Sequence, residues 1–119
     1  MSTVSILIPN YNHAKHLHQS LGGACGQTRP ADEILVCDDG SKDNSVEVIS
    51  EFAAKYPQLR LLRNDPNRGM QYTINRLLHE STGDYIVCAA ADDELYPKFL
   101  ERHMERLAKY PDVGMSVSE

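Results

Sequence analysis

Two pairs of neighbouring carboxylates, Asp38-Asp39 and Asp92-Asp93, are the residues of this chain whose type and spacing point most directly to chemistry. Like charges gathered in one place cost energy unless a cation or hydrogen-bond donors compensate them. Hard divalent ions such as Mg²⁺ and Mn²⁺ take oxygen ligands and commonly join one or two carboxylates to a substrate diphosphate. A single carboxylate such as Asp39 can instead accept an N–H from a nucleobase, in a charge-assisted bond about twice as strong as a neutral one. Either pair alone reads equally well as turn and helix-cap sequence, because Asp-Asp-Gly-Ser suits a turn and acids before a helix favour its dipole. Both readings stay open at the level of single residues.

Arg63, Arg68 and Lys42 are the basic groups that could meet a diphosphate. Arg68 precedes Gly69 at the start of an expected helix, where free backbone N–H groups favour anions. His13, His16 and His18 lie near another helix start, without a carboxylate or cysteine at ligand spacing, and read as surface histidines rather than a zinc site. Cys25, Cys37 and Cys88 form no CxxC pair and are expected to be buried free thiols in a reducing compartment. There is no GxSxG elbow to suggest a nucleophilic hydrolase.

The elements that must position these groups alternate between short apolar runs and longer amphipathic segments, the pattern of βαβ units around a parallel sheet. Val4 to Pro9 (VSILIP) is continuously apolar, as expected of a central strand covered on both faces. Asn12 is placed to cap a helix carrying Leu17 and Leu21. Glu33 to Cys37 is the second strand, and Asp43 or Ser41 is placed to cap a second helix with Val46, Ile49, Phe52 and Ala53 on one side. Leu59 to Arg63 forms a third strand, followed by a turn and a helix whose expected apolar stripe is Met70, Ile74, Leu77 and Leu78, closed at Gly83. Tyr85 to Ala89 is the fourth strand, and Pro97 opens a last helix with Leu100, Met104 and Leu107 inward. Val113 to Val117 reads as a fifth strand, with no helix after it, so the sequence is expected to be cut from a longer chain.

Both acidic pairs then fall just past the carboxyl ends of strands two and four, the edge at which open α/β sheets bind ligands. Right-handed crossovers can place strands two and three on one side of strand one and strand four on the other. That arrangement would bring both pairs and Tyr11 to one crevice.

The chain has 119 residues, 41% hydrophobic and 24% charged, as expected of one globular domain. A net charge of −5 argues against broad attraction to nucleic acid or anionic lipid, so a phosphate ligand must be held locally. No apolar run is long enough to span a bilayer, and no basic segment precedes the short apolar stretch at the N-terminus; a cytoplasmic location is expected.

Taken together, VSILIPNYN, ADEILVCDDGSKDNS, NRGMQYTINRLL, GDYIVCAAADDELYP and the terminal YPDVG segment resemble, in this order and over the whole chain, the family 2 inverting glycosyltransferases of GT-A fold. The resemblance implies a Rossmann-like, mostly parallel open sheet with helices on both faces. It implies that Pro9 and Tyr11 line a nucleoside pocket, that Asp39 contacts the base, commonly uracil, and that Asp38 supports that loop. Arg68 and Gly69 would pass near the diphosphate and ribose. Asp92 and Asp93 match the Asp-x-Asp type motif that holds ribose and the metal, Mn²⁺ or Mg²⁺, although Ala90 stands where many members carry an acid. The implied reaction moves the sugar of a nucleoside-diphosphate sugar, with inversion, onto an acceptor hydroxyl, with a base from beyond residue 119.

Two other classes fit less well. A receiver-type module wants an acidic pair after strand one, where Pro9-Asn10-Tyr11 stands, and a nucleotide-dependent oxidoreductase wants GxGxxG there. A non-catalytic nucleotide-binding or assembly module of the same fold is the other reading; a fifth strand at a sheet edge could pair with another chain, and a homodimer is among the assemblies open to it.

Overall fold

The computed structural model describes residues 3–109. The elements run β1 (Val4–Asn10), α1 (Ala14–Cys25), β2 (Glu33–Asp38), α2 (Ser45–Lys55), β3 (Leu59–Arg63), α3 (Met70–Glu80), β4 (Tyr85–Cys88) and α4 (Phe99–Lys109). The strand expected at Val113 to Val117 lies outside the described residues.

The strands form a four-stranded parallel sheet in the order β3-β2-β1-β4. The early strands wind one way from β1 and β4 is laid on its other side. β1 is therefore interior, and its side chains from Val4 to Ile8 are buried without interruption, as its apolar run predicts.

Alternation along the strands divides the core between two faces. Ile6 and Ile8 of β1 and Ile34 and Val36 of β2 pack with Leu17 and Leu21 of α1, Val48 and Ile49 of α2, and Leu100 of α4. Leu7, Leu35 and Cys37 point the other way, against Leu77 of α3. Each fully buried Leu or Ile contributes about 2 kcal/mol. The larger cluster, on the α1 side, therefore supplies most of the apolar stabilisation.

Several expectations change. Met70 and Leu78 are exposed, so the buried face of α3 is Thr73 and Leu77, with Ile74 half-buried. α3 covers β1 and β2 but not the edge strand β4, so that Ile86 and Cys88 also face outward; Cys88 is an exposed thiol, unlike Cys25 and Cys37. Asn12 does not cap α1. It adopts a positive φ of 56°, its Oδ1 accepts the Lys42 N–H at 2.8 Å, and the Ala14 N–H is satisfied by Asp43 Oδ2 at 3.0 Å. Nor does Asp43 or Ser41 stand at the N-cap of α2, a position held by Asn44; Asp43 instead accepts from the Ser45 N–H and hydroxyl. The helix-capping residues thus join the loop after β1 to the loop after β2.

Candidate nucleotide-sugar site

The adjacent acids of the first pair lie on opposite faces of the sheet. β2 directs Val36 toward α1 and Cys37 toward α3, so Asp38 and Asp39 continue that alternation and part company. Both are buried, at 2% and 5% exposure.

Asp38 binds the loops on the α1 side. Its Oδ1 accepts from Asn10 Nδ2 at 2.9 Å and from the Ser41 hydroxyl at 2.6 Å, while its Oδ2 accepts the Ser41 N–H at 2.9 Å. The Ser41 hydroxyl oxygen also accepts the Asn12 N–H at 2.9 Å. Asp38 is thereby a support of the loop rather than part of a pocket.

Asp39 reaches the other way, to the entrance of α3. Its Oδ1 accepts the Arg68 N–H at 2.7 Å and Asn64 Nδ2 at 3.0 Å, and its Oδ2 accepts the Gly69 N–H at 2.9 Å. Burial works to raise its pKa, but these bonds, with the Thr73 hydroxyl nearby, outweigh it and hold the carboxyl below its ordinary range. The backbone must come close for this to happen. Gly40 sits at φ +71°, and a Cβ there would meet the Asn67 backbone nitrogen at 2.9 Å.

Beneath Asp39 lies a buried polar network. Asn64 Nδ2 also donates to the Thr73 hydroxyl at 2.9 Å, Asn64 Oδ1 accepts from Arg76 at 2.9 Å, and the Thr73 hydroxyl donates to the Gly69 carbonyl at 2.8 Å. Above it a cavity of about 290 Å³ opens, lined among others by Pro9, Tyr11, Asp39, Gly69, Met70 and Thr73. Tyr11 is 39% exposed, so its ring is available as one wall. Pro9, Tyr11, Asp39 and Gly69 are thus brought together. Arg68 contributes its backbone N–H, while its guanidinium lies 5.7 Å from the Tyr72 ring centre.

The sequence reading missed Asn64, Asn67, Met70 and Thr73. Thr73 is a polar residue that must find partners when buried, but period alone does not mark it as an inward position.

The second pair differs. Asp92 and Asp93 lie after β4 in an exposed turn closed by an Asp93 N–H to Ala90 carbonyl bond of 3.1 Å. Neither lines the cavity beside Asp39. Among the described residues no side chain donates to either carboxylate, and no cluster of three or more His, Cys, Asp or Glu could hold a metal ion by itself. Two free adjacent carboxylates nevertheless suit a hard cation whose remaining ligands are water and phosphate oxygens.

The family model for glycosyl transferase family 2 matches residues 5–118. The chain belongs to that family. It is 39% identical over 101 residues to the uncharacterized glycosyltransferase YibD of Escherichia coli K12, covering 85% of this chain and 29% of that protein. It is 34% identical over 106 residues to the chondroitin synthase of Pasteurella multocida Pm70, covering 89% of this chain and 11% of the synthase. The chain therefore spans well under half the length of these relatives. Among solved structures, the mannosyltransferase PcManGT of Pyrobaculum calidifontis, in complex with GDP-Man and Mn²⁺, superposes with a TM-score of 0.80 at 28% identity, over 90% of this chain and 32% of that one. TarS of S. aureus, residues 1–349 in complex with UDP-GlcNAc, gives 0.86 at 20% identity over 98% and 37%, a likeness of fold alone. The family is one of glycosyltransferase enzymes, and its α/β parallel-sheet fold is the one observed here. Among the described residues no helix is long and apolar enough to cross a membrane.

Proposed function

We propose that this glycosyltransferase domain binds a nucleoside-diphosphate sugar, with uridine as nucleoside, and presents it with a divalent cation for inverting transfer to an acceptor hydroxyl. The observation that carries the reading is Asp39: a buried carboxylate at the C-terminal edge of the sheet that accepts the Arg68 and Gly69 N–H groups and also lines an open cavity. The N3–H of uracil is a donor of the required kind, and the Tyr11 ring offers its face to the base. The Arg68-Gly69 segment, fixed by its two N–H bonds to Asp39, then carries the nucleotide toward the diphosphate side.

Asp92 and Asp93 are the residues that would hold Mn²⁺ or Mg²⁺, and we assign the ribose contact to Asp92 as the family motif implies. The bound cation would stabilise the negative charge of the departing nucleoside diphosphate. The protein groups bind and orient the donor; we assign proton removal from the acceptor hydroxyl to a base beyond residue 119, as the family resemblance implies. A likeness to PcManGT with GDP-Man keeps guanine in the test.

The test is calorimetric titration of the chain with UDP, GDP and dTDP, with and without Mn²⁺, beside Asp39→Ala and Asp92→Ala. Mn²⁺-dependent binding of UDP, weakened about tenfold or more by each substitution, is expected. A folded chain indifferent to all three nucleotides would refute the reading.

A further inference from the structure

Arg76 of α3 is half-buried, makes no ion pair among the described residues and does not line the cavity beside Asp39. It follows Thr73 by three positions on the same helix, a spacing that puts both side chains on one face, toward the end of β3. Its Nη1 donates to the Arg63 carbonyl at 2.6 Å and to Asn64 Oδ1 at 2.9 Å. The Cys37 thiol lies near the same guanidinium, but burial above all raises its pKa, so no thiolate competes for these donors. A half-buried cation directed at two neutral oxygens calls for a reason.

The reason lies in the polarity of Asn64. This residue is buried, and both ends of its amide are bonded. Nδ2 donates to Asp39 Oδ1 at 3.0 Å and to the Thr73 hydroxyl at 2.9 Å, while Oδ1 accepts from Arg76. The Thr73 proton goes to the Gly69 carbonyl at 2.8 Å, so toward Asn64 that hydroxyl accepts. Donors thus run in one direction, from Arg76 through Asn64 to Asp39. The reverse arrangement is chemically open to the other side chains: the amide can turn over, the hydroxyl can rotate, and the carboxyl can take up a proton and donate it. Arg76 cannot reverse, because a guanidinium has no acceptor and keeps its proton. With Arg76 in place, an inverted amide would set Nδ2 against the guanidinium, donor against donor.

We infer that Arg76 is a positioning residue for base selection: through Asn64 it locks Asp39 as an acceptor, and so favours a base with an N–H at the contact over one with a bare nitrogen. Uracil carries N3–H where cytosine has an unprotonated N3. A site built for a hydrogen-bond donor rejects the analogue that lacks it, because its own polar groups are left unpaired. The selectivity expected of this device is for UDP over CDP. That selectivity rests on the nucleotide reading of Asp39, whereas the lock on Asn64 does not. A residue that only tied α3 to the end of β3, through the Arg63 carbonyl, would affect stability without changing base preference.

The chain, Arg76→Met, Arg76→Lys, Asn64→Ala and the double variant Asn64→Ala/Arg76→Met are titrated with UDP and with CDP in the presence of Mn²⁺. Deuterium exchange of the Asn64 side-chain amide is followed by NMR without nucleotide. The parent chain should prefer UDP by about tenfold or more. Arg76→Met should lower UDP affinity about fivefold and leave CDP within about twofold, with Arg76→Lys between Arg76→Met and the parent. The double variant should bind UDP no more than about twofold worse than Asn64→Ala, since a residue acting through another adds little once that one is gone. Exchange at Asn64 should quicken about fivefold or more in Arg76→Met. Arg76 is half-buried, so its variants carry the test even if Asn64→Ala does not fold. Equal losses of UDP and CDP in Arg76→Met, or additive losses in the double variant, would overturn the proposal. A parent chain that bound neither nucleotide would sink the reading of Asp39 and this use of it together. Unchanged Asn64 exchange in Arg76→Met, in a chain that does prefer UDP, would overturn the lock and leave that reading intact.

Discussion

The same dipeptide, Asp-Asp, stands at two strand ends of one sheet and meets opposite fates. After β2 both side chains are buried and hydrogen-bonded, one on each face. After β4 both are exposed, with no protein donor to either among the described residues. The difference follows from neighbours: β2 is flanked by β1 and β3, whose loops close over its end, whereas β4 is an edge strand in the described sheet. An acid that organises loops and an acid left available for a cation are therefore separated by position in the sheet, not by residue type. Asp39 combines the roles, since the groups that anchor it also form one wall of the cavity.

The largest effect should come from Asp39→Ala. It leaves Asn64 Nδ2 and the Arg68 and Gly69 N–H groups without their acceptor, and unsatisfied buried donors cost about 1–3 kcal/mol each. Partial access of water to the open cavity limits the sum, so a loss of about 3 kcal/mol is expected in urea denaturation. Loss of less than about 1 kcal/mol would remove the organising role. Asp38→Ala should cost about 1–2 kcal/mol, because Ser41 is only half-buried and can turn to water. Its UDP affinity should fall no more than about threefold, since Asp38 lies on the far face; a loss as deep as that of Asp39→Ala would break the division between the faces.

Much of this was legible in the chain. The four described strands and four helices fall where apolar period and turn residues place them, and the order with β1 between β2 and β4 is one that the crossover rule allows and the sheet adopts. Alternation along β2 also contains the separation of Asp38 from Asp39. What was not legible is long-range: that Asp43 would satisfy the Ala14 N–H 29 positions away, or that Asn64 would join Asp39 to Thr73. A capping residue is recognised by type, but which helix it serves depends on how two loops meet. The α3 stripe failed for a related reason. Period alone gives two candidate inward faces, and only the position of α3 over β1 and β2, away from β4, selects Thr73 and Leu77 over Met70 and Leu78.

A third prediction concerns protons. The folded pKa of Asp39 lies below its ordinary value of 3.8, so its contribution to stability is complete above that value and is lost as the pH falls through the lower folded pKa. Asp32, Glu33 and Asp43 are depressed as well and add to the same acid-side loss. In Asp39→Asn the denaturation midpoint should therefore fall less steeply than in the parent chain as the pH is lowered below 3.8. An unchanged slope would mean that the Asp39 bonds do not distinguish the charged from the neutral carboxyl.

The smallest effect on stability, and the sharpest contrast, is expected at the second pair. Asp92→Ala and Asp93→Ala remove exposed carboxylates that accept no described side-chain donor, so each should change unfolding free energy by less than about 0.5 kcal/mol. Relief of repulsion between the neighbours can even be slightly stabilising. Their effect should appear instead as loss of the Mn²⁺-dependent part of UDP affinity, read by titration with and without the ion. If either variant were destabilised as strongly as Asp38→Ala, the turn after β4 would have to be a structural corner like the one after β2. If both kept full Mn²⁺ dependence, the cation would have to be held elsewhere.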